Sequence, residues 1–272
     1  IIGLLLRFSC LLIEPIFSDD LYRYLWEGRA ISLGANPYIQ APDQFSVMDG
    51  IREKVNHPSI STVYPPLAQY LFALVAQVYY SIHSWQILTS IADLFTLTGI
   101  WYLLSAKDRD LAWLYALHPL AIIETASSAH VEAISLPFLV WAIYFFRRNP
   151  QKFQSPFLLF LGGWIKLYPW IFLVFLRNYS LRLLCILFLL SLLFLLPFWE
   201  PEMLTGLGTY TKHWSFNSSI YAILEQVLPR YARMLCFALA AVSVVFIWWK
   251  QRDIAKASLW VGAVFILCSP TV

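Results

Sequence analysis

The chain has 272 residues, of which 60% are hydrophobic, 17% aromatic and 13% charged, and its formal net charge is +3. Soluble domains carry about 25% charged residues, so this composition and a mean hydropathy of +0.64 exclude an ordinary soluble domain. The small, scattered positive charge also excludes a nucleic-acid-binding surface. We therefore predict an all-α, polytopic integral membrane protein.

The cysteines give no sign of a metal site or a disulfide framework. Each stands singly in an apolar run, without the paired spacing of metal ligands; they are Cys10, Cys185, Cys236 and Cys268. The first apolar run, 1–17, has no small-residue cleavage site after it, so we expect a transmembrane helix and not a signal peptide. Because the chain starts at Ile1 and stops where an apolar run ends, we expect residues 1–272 to be a single membrane domain of a longer protein.

The polar stretch 18–69 follows that first run, and it begins with two adjacent carboxylates, Asp19 and Asp20. Carboxylates beside a membrane segment are costly unless water, a cation or chemistry accounts for them. If a helix starts at Asp20, the side chains of Asp20, Arg23 and Glu27 share one face. We expect this helix to lie at the membrane interface with that face toward water or substrate. A solvated loop with no function remains the alternative.

Apolar runs that approach the roughly 20 residues of a bilayer helix follow along the chain. They fall near residues 63–82, 86–104, 111–127, 131–146, 157–176, 183–198, 232–249 and 257–268. Basic residues between them mark cytoplasmic loops by the positive-inside rule; they are Lys107 and Arg109, Arg147, Arg148 and Lys152, Arg177 and Arg182, and Lys250, Arg252 and Lys256.

Two adjustments place all of these basic loops on one side. Residues 64–80 lie as a juxtamembrane helix on the outer side, because Gln69 and Gln77 make the segment too polar for a span. The run 157–176 breaks at Lys166-Leu167-Tyr168-Pro169 into two short arms of a hairpin. The result is about 8–10 transmembrane or membrane-embedded helices, with a large first extracytoplasmic loop that carries juxtamembrane helices.

The remaining polar pieces then meet at the outer face. His130 and Glu132 interrupt two apolar runs, and Lys212 and His213 stand beside an aromatic residue. Lys166 lies among apolar residues, where an unpaired ammonium is expensive, so it needs an anionic partner such as a phosphate. The alternatives are snorkelling of Lys166 to the interface and interfacial anchoring by Lys212.

The order of these motifs resembles the GT-C superfamily of membrane glycosyltransferases. It is most similar to the mannosyltransferases that use polyprenyl-phosphate mannose, including the first mannosyltransferase of GPI-anchor synthesis and bacterial lipomannan-type enzymes. The similar segments are Asp19-Asp20, Gly34-Ala35-Asn36-Pro37-Tyr38, Tyr64-Pro65-Pro66-Leu67, Pro119-Leu120, Ser127 to Glu132, Lys166-Leu167-Tyr168-Pro169, and weakly His213 to Ser218. Ser269-Pro270-Thr271 is similar to the start of a further bacterial motif. The acids depart from the family's Asp-x-Asp pattern because they are adjacent.

The resemblance implies a transferase that moves a hexose, mannose by analogy, from a polyprenyl-phosphate donor to an acceptor hydroxyl, with inversion. Asp19 or Asp20 would be the base, and Lys166, Lys212 and His213 would hold the donor phosphate. Substrate would contact the residues Arg23, Glu27, Tyr64, His130 and Glu132. The acceptor would be lipid-linked or a polysaccharide. No cofactor and no metal is expected, although a divalent cation at the acids stays open.

This function implies an extracytoplasmic active site, in a multi-pass protein of the bacterial plasma membrane surrounded by membrane lipid. A second hypothesis from another class remains: a transporter or flippase of lipid-linked sugars without transferase activity, because such proteins also carry isolated charges among their membrane helices. A structural or assembly subunit is the third. The sequence distinguishes neither the sugar nor the acceptor.

Overall fold

In the computed structural model the described residues, 1–175, 179–213, 215 and 219–268, form helices and turns without any strand. The all-α prediction is therefore confirmed. Arg177 of one basic loop, most of the 213–218 motif and Ser269 to Thr271 lie outside the described residues. The chain divides into two compact units, Ile1–Gly206 and Leu207–Val272.

The first unit contains α1 (Ile2–Cys10), α2 (Asp20–Ser32), α3 (Pro66–Val78), α4 (Ile82–Leu103), the short helices α5 (Trp113–Ala116) and α6 (Pro119–Ile122), α7 (Glu132–Arg148), α8 (Gln154–Ile165) and α9 (Leu181–Leu195). Helix α10 (Thr205–His213) begins at the end of that unit. The second unit continues with α11 (Ser219–Val227), α12 (Ala232–Lys250) and α13 (Ile254–Cys268).

Helix α2 lies at the centre of the first unit, packed against α3. Its residues Leu21, Leu25 and Trp26 are fully buried. The Tyr24 ring stacks on Phe72 of α3 with centroids 4.9 Å apart and lies 5.3 Å from the ring of Trp85 in α4. Such aromatic contacts contribute about 0.5–1.5 kcal/mol each beyond the area they bury. The expectation that Arg23 and Glu27 face water is therefore wrong, since they are 5% and 2% exposed, and the position of α2 at a membrane interface stays a prediction.

Two of the predicted apolar runs are helices over only part of their length. The run 1–17 is helical only over α1, because Pro15 disfavours helical backbone at the residue before it and the chain turns instead. The run 111–127 was expected to be one helix, and this is wrong. Pro119 starts α6 after an extended His118, and a π-helical turn, Ile123–Ser127, follows.

The short α3 and the break after α8 agree with the two adjustments made for topology. A helix of 13 residues such as α3 is about 20 Å long, too short for a hydrocarbon layer of about 30 Å. Helix α8 stops at Ile165, and a 3-10 helix begins at Tyr168. The two arms pack on each other, since the Trp164 and Trp170 rings lie edge to face at 4.9 Å.

A buried ion pair that the sequence analysis did not identify ties α1 to α4. Arg7 is 2% exposed and its Nε donates to the Asp93 carboxylate, which is completely buried. The Tyr115 hydroxyl donates to the other oxygen of Asp93 at 2.5 Å, and Arg7 Nη1 donates to the carbonyl of Ala116 at 2.7 Å. Removing one partner of such a pair typically costs about 3–5 kcal/mol.

Within the part of the chain that the structure describes, two helical stretches are long and apolar enough to cross a membrane, Leu181–Phe198 and Ala232–Lys250. Few of their residues are buried, and large side chains such as Leu181, Leu189 and Val242 are more than half exposed. The predicted number of spans stays a prediction beyond these two.

Candidate functional site

The acid pair stands at the start of α2, as predicted. Asp19 is the N-cap residue and Asp20 the first residue of the helix, and the Asp20 N–H donates to Ser18 Oγ at 3.3 Å. A carboxylate in the first turn is stabilised by the unpaired N–H groups and dipole of a helix N-terminus. Asp19 is exposed and Asp20 is half-buried. The two carboxylates therefore face different amounts of solvent.

Asn56, which the sequence analysis missed, joins the two acids. Its Nδ2 lies 2.7 Å from Asp19 Oδ1 and 2.6 Å from Asp20 Oδ1. The residue stands in the loop before the proline pair, 36 positions from Asp20. Sequence spacing could not reveal this contact. The polar Asn56-His57-Pro58 stretch was the available signal.

Arg23 and Glu27 lie beneath the acids, inside the unit. They are 5% and 2% exposed, and Arg23 Nε donates to Glu27 Oε1 at 2.9 Å. The other Glu27 oxygen accepts from Thr62 Oγ1 at 2.8 Å and from Gln69 Nε2 at 2.6 Å. Three donors from three chain segments thus satisfy the Glu27 carboxylate. Without them a buried carboxylate would cost several kcal/mol.

The second charged group of the site forms where α8 ends. Lys166 follows the last residue of α8, and its Nζ lies 2.7 Å from Glu132 Oε1 at the start of α7. The same ammonium lies 5.4 Å from the centre of the Tyr64 ring. The anionic partner that the sequence required for Lys166 is thus Glu132. Both side chains remain partly accessible to solvent, 35% for Lys166 and 44% for Glu132.

Tyr64 is the residue at which the two charged groups meet. Burial raises the pKa of its hydroxyl, and the nearby carboxylates Asp20, Glu27 and Glu132 raise that pKa further, against the opposing charge of Arg23. Its ring lies edge to face on Tyr24, 5.1 Å between centroids. The hydroxyl therefore stays protonated at neutral pH.

Glu124 of the π-helical turn and His130, between that turn and α7, form a further pair beside this site. His130 Nδ1 lies 2.6 Å from Glu124 Oε2. Helix α4 fixes the segment, because Trp85 Nε1 donates to the carbonyl of Ala129 at 2.8 Å. Ala129 has a φ of +53°, an unusual conformation that this hydrogen bond helps to hold. Glu124 is a further residue that sequence reasoning missed.

Lys212 and His213 are the last residues of α10 and are exposed. They belong to the second unit, whereas Asp19, Asp20, Tyr64, Glu132 and Lys166 belong to the first. The structure thus brings the first-unit residues together, and the roles of Lys212 and His213 at a donor phosphate stay predictions. Among the described residues no group of three His, Cys, Asp or Glu side chains is arranged to bind a metal. The cofactor requirement also stays a prediction.

Comparison with known families gives one match to this chain. The MptA_B family model, described as "Alpha-(1->6)-mannopyranosyltransferase, N-terminal domain", matches residues 8–182. The matched region contains the acid pair, Asn56, Tyr64, Glu132 and Lys166, and it ends at the start of α9. Comparisons with curated proteins and with solved structures gave no match.

Proposed function

The chain belongs to the alpha-(1->6)-mannopyranosyltransferase family, whose model matches well over half of it, and we propose that it transfers mannose from a polyprenyl-phosphate donor. The acceptor is a hydroxyl of a lipid-linked glycan or polysaccharide at the extracytoplasmic face. The observation that carries this proposal is that Tyr64 packs both on Tyr24 of α2, the helix that begins at Asp20, and on the Lys166 ammonium. A group transfer from a phosphate needs both kinds of charge.

Asp20 is the base in this proposal. The acceptor hydroxyl gives its proton to the Asp20 carboxylate as its oxygen bonds to the anomeric carbon of mannose, which inverts the configuration there. A β-linked donor then gives the α product that the family's name describes. Asp20 is favoured over Asp19 because it is half-buried in the first turn of α2, whereas Asp19 is exposed.

Lys166 stabilises the leaving group. The bond from the anomeric carbon to the phosphate oxygen breaks, and polyprenyl phosphate departs with the electron pair. A preorganised ammonium close to that developing charge lowers the barrier. Lys212 and His213 are proposed as phosphate ligands from the resemblance alone. The step requires no cofactor, because protein side chains provide the base and the electrophilic stabilisation.

The other predicted substrate-binding residues divide by exposure. Arg23 and Glu27 are buried and paired, which favours a role in holding the acids over direct contact with substrate. Glu132 and His130 are partly exposed beside Lys166, which favours contact with the sugar hydroxyls. Tyr64 lies between the acid pair and the Lys166–Glu132 pair, and we propose that its hydroxyl donates a hydrogen bond to the substrate.

We place the protein in the bacterial plasma membrane as a multi-pass chain. Two apolar helices that are mostly exposed support this location, because an apolar surface of that size needs lipid around it. The transporter alternative is not favoured, since the family transfers mannose.

The test is single-turnover transfer from radiolabelled polyprenyl-phosphate mannose by membranes that carry the protein. Asp20→Asn should lower the rate by about 10²–10⁴-fold, the usual contribution of a general base, while Asp19→Asn should cost about tenfold or less. Glu53→Gln is the control, because that acid is exposed and lies outside α2, in the 3-10 turn Arg52–Lys54. Full activity of Asp20→Asn, or a wild type inert with every polyprenyl-phosphate sugar, would refute the proposal.

A further inference from the structure

The loop residue Asn56 provides the direct contact to both acids at the start of α2. Its side-chain nitrogen carries two protons, and it lies within hydrogen-bond distance of Asp19 Oδ1 and of Asp20 Oδ1. One amide can therefore serve one carboxylate with each proton. Hydrogen bonds to ionised acceptors are about twice as strong as neutral ones, so this bridge fixes the mutual position of the two acids.

The backbone of Asn56 is held by the buried arginine. Arg23 Nη1 donates to the carbonyls of Asn56 at 3.0 Å and His57 at 3.2 Å, and Nη2 donates to the carbonyl of Ile60. His57 has a φ of +41°, which costs roughly 1–3 kcal/mol for a residue other than glycine. The three carbonyl contacts with one guanidinium account for the persistence of that conformation.

Arg23 is fixed in turn by Glu27, Thr62 and Gln69. Thr62 and Gln69 are 1% and 0% exposed, and both donate to the Glu27 carboxylate that pairs with Arg23. A chain of charge-assisted hydrogen bonds thus runs from the interior of the unit to the surface at Asn56. Because each member is anchored by the one beneath it, the amide arrives at the acids already oriented.

We propose that Asn56 is a positioning residue, which aims the Asp20 carboxylate at the acceptor hydroxyl by bridging it to Asp19, and that the Arg23–Glu27 network exists to place this amide. This inference rests on the proposed transferase function and names a part of its machinery that the sequence motifs omit. Asn56 itself touches neither the donor nor the acceptor. Its effect on the reaction passes through Asp20.

A change of charge at position 56 tests whether the Asn56 amide positions the acids or merely fills space. Asn56→Asp keeps the shape of the side chain but places a third carboxylate against two others, and like charges favour protonated forms. The acid limb of the pH profile of kcat/KM should move to higher pH by about one unit or more, and kcat should fall at least tenfold. The variant keeps the other charged or titratable residues near the bridge, so the added carboxylate is the only change in composition there. These residues are Arg23, Lys54, His57, Tyr64, Glu132 and Lys166.

A swap of the amide and one acid provides the decisive comparison. In the double variant Asp19→Asn with Asn56→Asp, one amide again stands among two carboxylates. Transfer should recover at least about tenfold relative to Asn56→Asp alone, with the acid limb moving back toward its wild-type position. The matched control is Asn149→Asp, the same change at an exposed asparagine beyond α7, which should leave the rate and the pH profile unaltered.

Each outcome decides between the two proposals. If Asp20→Asn is inactive but Asn56→Asp keeps the wild-type rate and acid limb, or the swap recovers nothing, the role of Asn56 is refuted and the transferase function stands. If Asp20→Asn is fully active, the proposed function fails first. Should Asn56→Asp not accumulate in membranes, Asn56→Gln replaces it. Its displaced amide should lower kcat about tenfold with little change in the donor KM, and a wild-type kcat would overturn the inference.

Discussion

Lys166 illustrates how far a single residue can be interpreted from sequence. Its apolar neighbours predict an anionic partner, because an unpaired ammonium in such surroundings is costly. The sequence analysis suggested a phosphate as that partner, and the fold supplies Glu132, 34 positions away, with its Oε1 2.7 Å from Nζ. The ammonium remains 35% accessible, which fits its proposed role at the donor phosphate.

Lys166→Met should raise the donor KM by about 10–100-fold, because a hydrogen bond to a charged group contributes about 1.5–3 kcal/mol. Lys166→Arg should recover much of the loss, since it keeps the charge. Lys152→Met, at an exposed lysine before α8, is the control and should not change KM. The measurement is initial-rate transfer over a range of donor concentrations. A donor KM that stays at the wild-type value in Lys166→Met would contradict the phosphate-binding role.

At the scale of elements, the close approach of α2 and α3 sets the position of the site. Gly28 lies against the backbone of Phe72, and any Cβ there would overlap the carbonyl oxygen of that residue. This approach brings Gln69, near the start of α3, within 2.6 Å of the Glu27 carboxylate. The helix pair thus carries the buried network that supports the acids.

Gly28→Ala should therefore destabilise the first unit by about 1–3 kcal/mol or more, as overpacked cores do. The expected result is a lower midpoint of thermal unfolding in detergent, by roughly 2–4 °C per kcal/mol. The control is Gly50→Ala, where nothing lies within 4 Å of an added Cβ. An unfolding midpoint equal to that of the wild type would mean that α2 and α3 can separate without cost.

Local signals predicted where helix α2 begins and ends, whereas the burial of its side chains depends on contacts with distant parts of the chain. Asp20 starts α2 and the turn at Gly34, with a φ of +85°, follows its end, because capping and glycine act within a few residues. The break at Lys166 was predicted on other grounds, because it places all of the basic loops on one side of the membrane. The burial of Arg23 was missed, because its carbonyl partners come from a loop more than 30 positions away.

At the scale of the whole molecule, the predicted orientation depends on loop charge. The two helices that are long and apolar enough for a membrane are separated in the chain by residues 199–231. In the proposed topology the basic loops follow the positive-inside rule. The site residues of the first unit then face the outer side. Labelling of engineered cysteines measures this orientation directly.

In a background with the native cysteines replaced by alanine, Glu53→Cys should react with a membrane-impermeant maleimide on intact cells. Lys152→Cys should react only after the cells are permeabilised. Both positions are exposed, so the accessibility of the side chain is matched and only the side of the membrane differs. Labelling of Lys152→Cys on intact cells, with Glu53→Cys protected, would reverse the orientation and place the acids in the cytoplasm.

Composition predicted the all-helical class, and local capping signals predicted the start of α2 at the acid pair. Loop charge predicted the break at Lys166, and the order of motifs gave the resemblance to mannosyltransferases, which agrees with the family match. The burial of α2, the bridge of Asn56 between the two acids and the pairing of Glu132 with Lys166 became visible in the folded chain alone. These contacts join segments far apart in the chain, and side-chain hydrogen bonds over such separations leave no periodic trace in the sequence.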